Sequence, residues 1–119
     1  MAFGAVWGLR RTSRVEVVGD SMRPTLDPGD RLVLSRVGRP RPGDLVALAD
    51  PRAPARTVVK RLVEVSSAGL TVLGDNPAAS TDSRVFGRVP AGSLRGRVVY
   101  RYHPAARRGI LRRHRSVVT

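Results

Sequence analysis

Ser21 and Lys60 are the residues of this 119-residue sequence whose types and settings suit covalent catalysis. Ser21 lies in GDSMRPTLDPGD (residues 19–30), where a strand-like run gives way to small, polar and turn-forming residues around a hydroxyl. A serine hydroxyl is a weak nucleophile at neutral pH and needs a base beside it. The chain has no cysteine, and its two histidines, His103 and His114, lie among arginines in the last 17 residues, so carboxylates and lysine are the bases left. Lys60 is the only lysine among 22 basic residues. A guanidinium cannot be deprotonated in a protein, so lysine persists where arginine would fail as a base.

Lys60 sits inside an apolar run, TVVKRLV. Strand periodicity puts Val58, Lys60 and Leu62 on one face and Val59, Arg61 and Val63 on the other, so the amine points where apolar side chains point. Desolvation there favours the neutral amine. Moving a lysine from about 10.4 to near neutrality is a shift of roughly 2 to 3 units, about 3 to 4 kcal/mol against the charged form. A strand lysine also fits a sheet edge, its stem on apolar surface and its head in water. A third segment, GDNPAASTDSRVFG (74–87), is dense in hydroxyls and carboxylates. Asp82 and Arg84 are spaced for a local ion pair, and Ser80 is a hydroxyl suited to orienting a lysine amine. Turn chemistry accounts equally for any one of these residues, and the segment lacks the glycine spacing of a phosphate loop.

The elements that must position these groups read as strands. RVEVV (14–18), RLVLS (31–35), DLVALA (44–49), TVVKRLVEV (57–65), LTVLG (70–74) and RGRVVYRY (95–102) are rich in Val and Leu and are separated by Gly, Pro, Asp and Asn. The spacing predicts a small antiparallel all-β domain without a helix of twelve or more residues before Pro104. The length suits one core and one domain, divided as a short N-terminal segment (1–13), a catalytic domain (14–102) and a basic C-terminal tail (103–119). The net charge is +13, and six arginines and no acids follow Tyr100. Such a tail reads as a solvated end, with peripheral membrane contact left open. Few aromatics interleave with the arginines, which argues against nucleic acid as a partner. The longest apolar stretch, MAFGAVWGL, has nine residues where a membrane span needs about 20, so no transmembrane helix is expected. No cofactor and no metal site are expected either.

Taken in order, the segments resemble the type I signal peptidase family of Ser-Lys proteases. GDSMRPTL matches the family's nucleophile box, RPGDLVAL the strand box after it, VVKR the lysine box and GDNPAASTDSRVFG the last box, together covering about residues 15 to 90. The resemblance implies the family's all-β catalytic core, without a large insert domain. It also implies that Ser21 attacks the scissile carbonyl and that neutral Lys60 takes its proton. Gly19, Asp20 and Ser80 become oxyanion and support residues, with Ser80 orienting Lys60 and the Ser21 N–H meeting the oxyanion. Asp75, Asn76, Asp82 and Arg84 become braces of the last loop. Gly19 stands where some members carry a serine that helps the oxyanion hole.

The compact layout, with only 14 positions from Lys60 to Gly74 and a VVYRYHP stretch after the last box, resembles the branch that matures nickel-type superoxide dismutase by removing an N-terminal extension. The implied partner is that precursor polypeptide, and the implied location is the cytoplasm. Three alternatives stand beside this reading. One is a general signal peptidase for exported proteins. Another is a LexA-like autoprotease, for which no DNA-binding domain or Ala-Gly cleavage segment precedes Ser21. The third is a non-enzymatic basic β-module that binds nucleic acid.

Overall fold

The computed structural model describes residues 12–113. Residues 1–11 of the expected N-terminal segment, and His114 with the rest of 114–119, lie outside the described residues. The elements are β1 (Thr12–Glu16), β2 (Arg31–Ser35), β3 (Leu45–Asp50), β4 (Ala53–Ser66), β5 (Gly69–Leu73), a four-residue helix α1 (Ser83–Phe86), β6 (Leu94–His103) and β7 (Gly109–Ile110). They form one sheet in the order β1-β2-β6-β3-β4-β5, with β7 added on β6. Every pairing is antiparallel. Among the described residues no helix is long and apolar enough to cross a membrane.

β3 shows why the sheet holds together. Its sequence, LVALAD, is a continuous apolar run rather than an alternation, as expected for a strand covered on both faces. Leu45 and Ala47 enter one apolar cluster with Leu32, Leu34, Val59 and Val98. Val46 and Leu48 enter a second with Leu62, Leu70, Val72 and Val89. The register pairs Val46 with Lys60 and Leu45 with Arg61, which carries the two faces onto β4. Lys60 therefore shares the face of Val46 and Leu62, as the period-two reading requires, and Arg61 shares the other face with Val59.

The segment between β1 and β2 is irregular but anchored. Met22 and Leu26 are fully enclosed in the first cluster, each burial contributing roughly 1.5–3 kcal/mol. One helical turn closes as Leu26 N donates to Met22 O at 2.9 Å. Ser21 is thus fixed by the apolar residue that follows it.

The basic tail differs from the solvated end expected for it. Over its described part it is docked: β7 pairs with Tyr100 and Arg101. Arg107 reaches Asp27 at 2.8 Å and Asp30 at 2.9 Å, and Arg113 reaches Asp44 at 3.1 Å. Asp30 and Asp44 are buried, and a buried carboxylate needs cationic partners. Arg101, Arg107 and Arg113 supply them.

Candidate active site

The three chemistry-bearing segments converge at the middle of β4, around Lys60 and Arg61. Ser21 and Lys60 line one cleft of about 370 Å³, with Gly19, Asp20 and Val17 on one wall and Thr57 to Val59 on the other. Lys60 is 4% exposed. Its ammonium donates to Ser80 Oγ at 3.1 Å rather than to Ser21. Burial pushes the Lys60 amine below the ordinary lysine value; the Asp82 carboxylate opposes that shift, and Arg52 adds to it. A lysine so placed can lose its proton far more readily than one in water, and the neutral amine is a base.

Ser80 is itself oriented. Its hydroxyl donates to Asp82 Oδ2 at 2.9 Å, which turns an oxygen lone pair toward Lys60. Asp82 is fully buried and caps α1, accepting from Arg84 N at 3.1 Å. It also accepts from Gly74 N at 2.8 Å and, in a two-point pair, from Arg84 Nε at 2.9 Å and Nη2 at 2.5 Å. Burial alone would raise its pKa, but the hydrogen bonds from Arg84, Gly74 and Ser80 outweigh that and hold the carboxyl far below the usual range. The expected Asp82–Arg84 brace is present as a fixed anion behind Ser80. Ser83 adds a tie unforeseen from sequence, its hydroxyl accepting from Val72 N at 2.9 Å and fastening α1 to β5.

Asp75 and Asn76 join the last loop to the serine turn. Asn76 N donates to Ser21 O at 2.8 Å and Asn76 Nδ2 to Asp20 O at 3.0 Å. Asp20 acts here through its backbone, while its exposed carboxylate pairs with Arg23 at 3.0 Å. Asp75 receives Arg61 Nε at 3.2 Å, Arg61 Nη2 at 2.6 Å and the Thr25 hydroxyl at 2.6 Å. Arg61 also donates to Gly43 O at 2.9 Å and is as buried as Lys60. Sequence reasoning left Arg61 and Thr25 without a role. The available signal was a second charge beside Lys60 in an apolar strand, on the face it shares with Val59 and Val63.

Two glycines are set by different constraints. Gly19 has a φ of +82°, where residues with side chains are strained, although among the described residues beyond its chain neighbours no atom lies within 4 Å of where its Cβ would stand. The backbone, not space, selects glycine there. At Gly74 the reverse holds: a Cβ would lie 2.5 Å from Ser80 Cβ and 2.7 Å from Ser21 O. The close packing of the serine turn against the Ser80 loop depends on that missing methyl.

A family model described as "Signal peptidase, peptidase S26" matches residues 1–67 and 63–103. Mitochondrial ATP-independent inner membrane protease subunit 1a of Arabidopsis thaliana is 35% identical, over 84% of this chain and 76% of that protein. Mitochondrial inner membrane protease subunit 1 of Homo sapiens is 27% identical over 79% of this chain and 71% of its own length. A probable signal peptidase I-1 of Synechocystis is 28% identical over 80% of this chain and 73% of its own. With the antiparallel β-core and the convergence of the Ser21, Lys60 and Ser80 segments on one site, these matches establish that the chain belongs to the signal peptidase family, peptidase S26, and is a signal-peptidase-like protease.

Proposed function

We propose that this protease is a Ser21–Lys60 dyad endopeptidase that removes an N-terminal extension from a precursor polypeptide. The observation that carries the reading is the buried Lys60 amine, held at 3.1 Å by a hydroxyl that is itself anchored on Asp82, in the cleft that Ser21 lines. In the proposed reaction neutral Lys60 takes the Ser21 hydroxyl proton as the oxygen attacks the scissile carbonyl. The ammonium so formed then protonates the departing amine, leaving an acyl-enzyme. Water deprotonated by Lys60 attacks the ester and releases the serine. Amide donors at Ser21 and the Gly19–Asp20 turn serve the oxyanion. Ser80 keeps the amine aimed throughout, and the domain from 14 to 102 holds the whole machinery.

The relatives' names favour precursor processing in general. A nickel superoxide dismutase precursor as substrate is supported by the sequence features of its branch: the short span between lysine and last boxes and the VVYRYHP stretch. Wild-type and Ser21→Ala protein, incubated with that precursor and separately with a signal-peptide precursor, decide the substrate by intact mass and new N-terminus. Cleavage of the dismutase precursor by wild type alone supports the branch. Cleavage of the signal-peptide precursor alone moves the chain to general signal peptidase work.

The rate should depend on pH in one direction. Because the amine must be neutral, kcat/KM is expected to rise with pH through the lowered Lys60 value and then level off; a flat profile between pH 5 and 9 contradicts the base. Asp82 raises the Lys60 value, so Asp82→Asn is expected to move the rising limb to lower pH while reducing the plateau through a looser Ser80. A plateau loss with an unmoved limb would remove Asp82 from the electrostatics of the base.

A further inference from the structure

The hairpin joining β3 to β4 brings two guanidiniums onto one carboxylate at the rim of the active cleft. Asp50, with no solvent exposure, accepts from Arg52 N at 2.9 Å, Arg52 Nε at 3.1 Å and Arg52 Nη2 at 3.2 Å. It also accepts from Arg56 Nε at 3.2 Å and Arg56 Nη2 at 2.8 Å. The register runs from Asp50–Ala53 directly to Ala49–Thr57, so residues 54–56 bulge out of β4, and the bulge swings Arg56 back toward Asp50. Both guanidiniums line the cleft that holds Ser21 and Lys60.

Charge at this rim is not balanced. Burial would raise the Asp50 pKa, but the bonds from Arg52 and Arg56 lower it to about 2, so the cluster is one anion with two cations throughout the working pH range. The other acids lining the cleft, Glu16 and Asp20, are each paired with an arginine outside it, Arg31 at 3.6 Å and Arg23 at 3.0 Å. All nine acidic residues of the chain are ion-paired, so no other carboxylate is left for this rim. Arg52 and Arg56 bond Asp50 through Nε and Nη2, and among the described residues their Nη1 groups meet no acceptor. Their side chains are 50% and 61% exposed. One guanidinium is enough to hold a buried carboxylate; the second, on the cleft lining and with its Nη1 unpaired among the described residues, suits an incoming anion.

Place in the sheet indicates where that anion comes from. β3 covers one edge of β4, and β5 covers the other only from Arg61 onward, which leaves the Thr57–Lys60 edge without a strand partner among the described residues, in the cleft that Ser21 lines. An extended polypeptide can lie along that edge. Asp50, which holds both guanidiniums, lies four positions along β3 from Val46, the partner of Lys60, roughly 13 Å of strand, so a similar length of bound chain separates the cut from the guanidiniums. We infer that Arg52 and Arg56 form a specificity site for a carboxylate side chain, Asp or Glu, about three to five residues from the scissile bond of the substrate polypeptide. The inference rests on the protease reading above.

A library of synthetic peptides with alanines around a central bond and mixed residues beyond, read by mass spectrometry, gives the sequence that wild type cuts best. Ser21→Ala must leave the library intact; cutting by that variant, or none by wild type, removes the protease reading and the inference with it. Glu and Gln versions of the best sequence, varied one position at a time on each side of the cut, then give the ratio of kcat/KM. Wild type is expected to favour Glu by about five- to tenfold at one position, less at high salt. Arg56→Gln is expected to bring that ratio close to one. Asp50→Asn with Arg52→Gln and Arg56→Gln, which leaves no buried charge unpartnered, is the second variant and should abolish the preference. A wild-type ratio near one at every position, or a preference that survives in the triple variant, overturns the assignment.

Discussion

Lys60→Arg is expected to reduce peptide-bond cleavage at least about a thousandfold, to the background of Ser21→Ala, although it keeps the charge. The reason lies in what arginine cannot do. A lysine enclosed opposite Val46 gives up its proton more readily than one in water because burial disfavours the ammonium, and the neutral form is the proposed base. A guanidinium in the same place stays charged. Nucleophile and base act as one unit, so Ser21→Ala, Lys60→Ala and the double variant should share nearly the same residual rate. Turnover in Lys60→Arg above the Ser21→Ala background would end the general-base assignment.

Lys60→Met carries the same argument into stability. Since the folded-state pKa of Lys60 lies below its unfolded value, the unfolded chain binds more protons between the two, and stability rises with pH across that window. Burying the amine therefore costs most at neutral and lower pH, and the cost fades as pH approaches about 10.4. Lys60→Met keeps the stem and drops the amine. It is expected to be inactive yet at least as stable as wild type at pH 7, with the gain shrinking toward pH 10 in urea denaturation. A less stable methionine variant at pH 7 would mean that the Ser80 contact outweighs the desolvation.

What the sequence disclosed and what it concealed divide by range. The six longer strands were legible because Val and Leu recur at strand spacing between Gly, Pro and Asp breaks, and Lys60 was placed on the correct face by period two alone. β7 was missed because two residues carry no period, and α1 because four residues show no helical face; only its cap, Asp82, is a local signal. The Asp82–Arg84 pair was legible because its partners are two positions apart. Asp30 with Arg107 and Asp44 with Arg113 lie 77 and 69 positions apart, so a basic stretch that looks solvated in sequence is in fact docked. The family boxes were readable as boxes, whereas the ties between them, Arg61 to Asp75 and Asn76 to Ser21, exist only once β4 and the loop after β5 are side by side.

Asp75→Ala is the change expected to damage the fold most. Arg61 is 4% exposed at its side chain and Asp75 14%, so the pair is made almost out of water. Taking away the carboxylate leaves a buried guanidinium whose remaining acceptor is Gly43 O, a loss of about 3–5 kcal/mol. A domain of this size has roughly 5–15 kcal/mol in all, so Tm should fall by some 10–25 °C. Arg61→Met combined with Asp75→Ala should recover much of that loss, because it removes the stranded charge along with its lost partner. The stability recovered should not return as activity. Asp75 also holds Thr25, and it precedes Asn76, whose amide fixes the Ser21 carbonyl, so the double variant is expected to keep a folded sheet but loosen the turn that carries Ser21, the proposed nucleophile. A stable double variant with a lowered kcat therefore separates the electrostatic role of the pair from its positioning role. Full activity in that variant would assign Asp75 to stability alone.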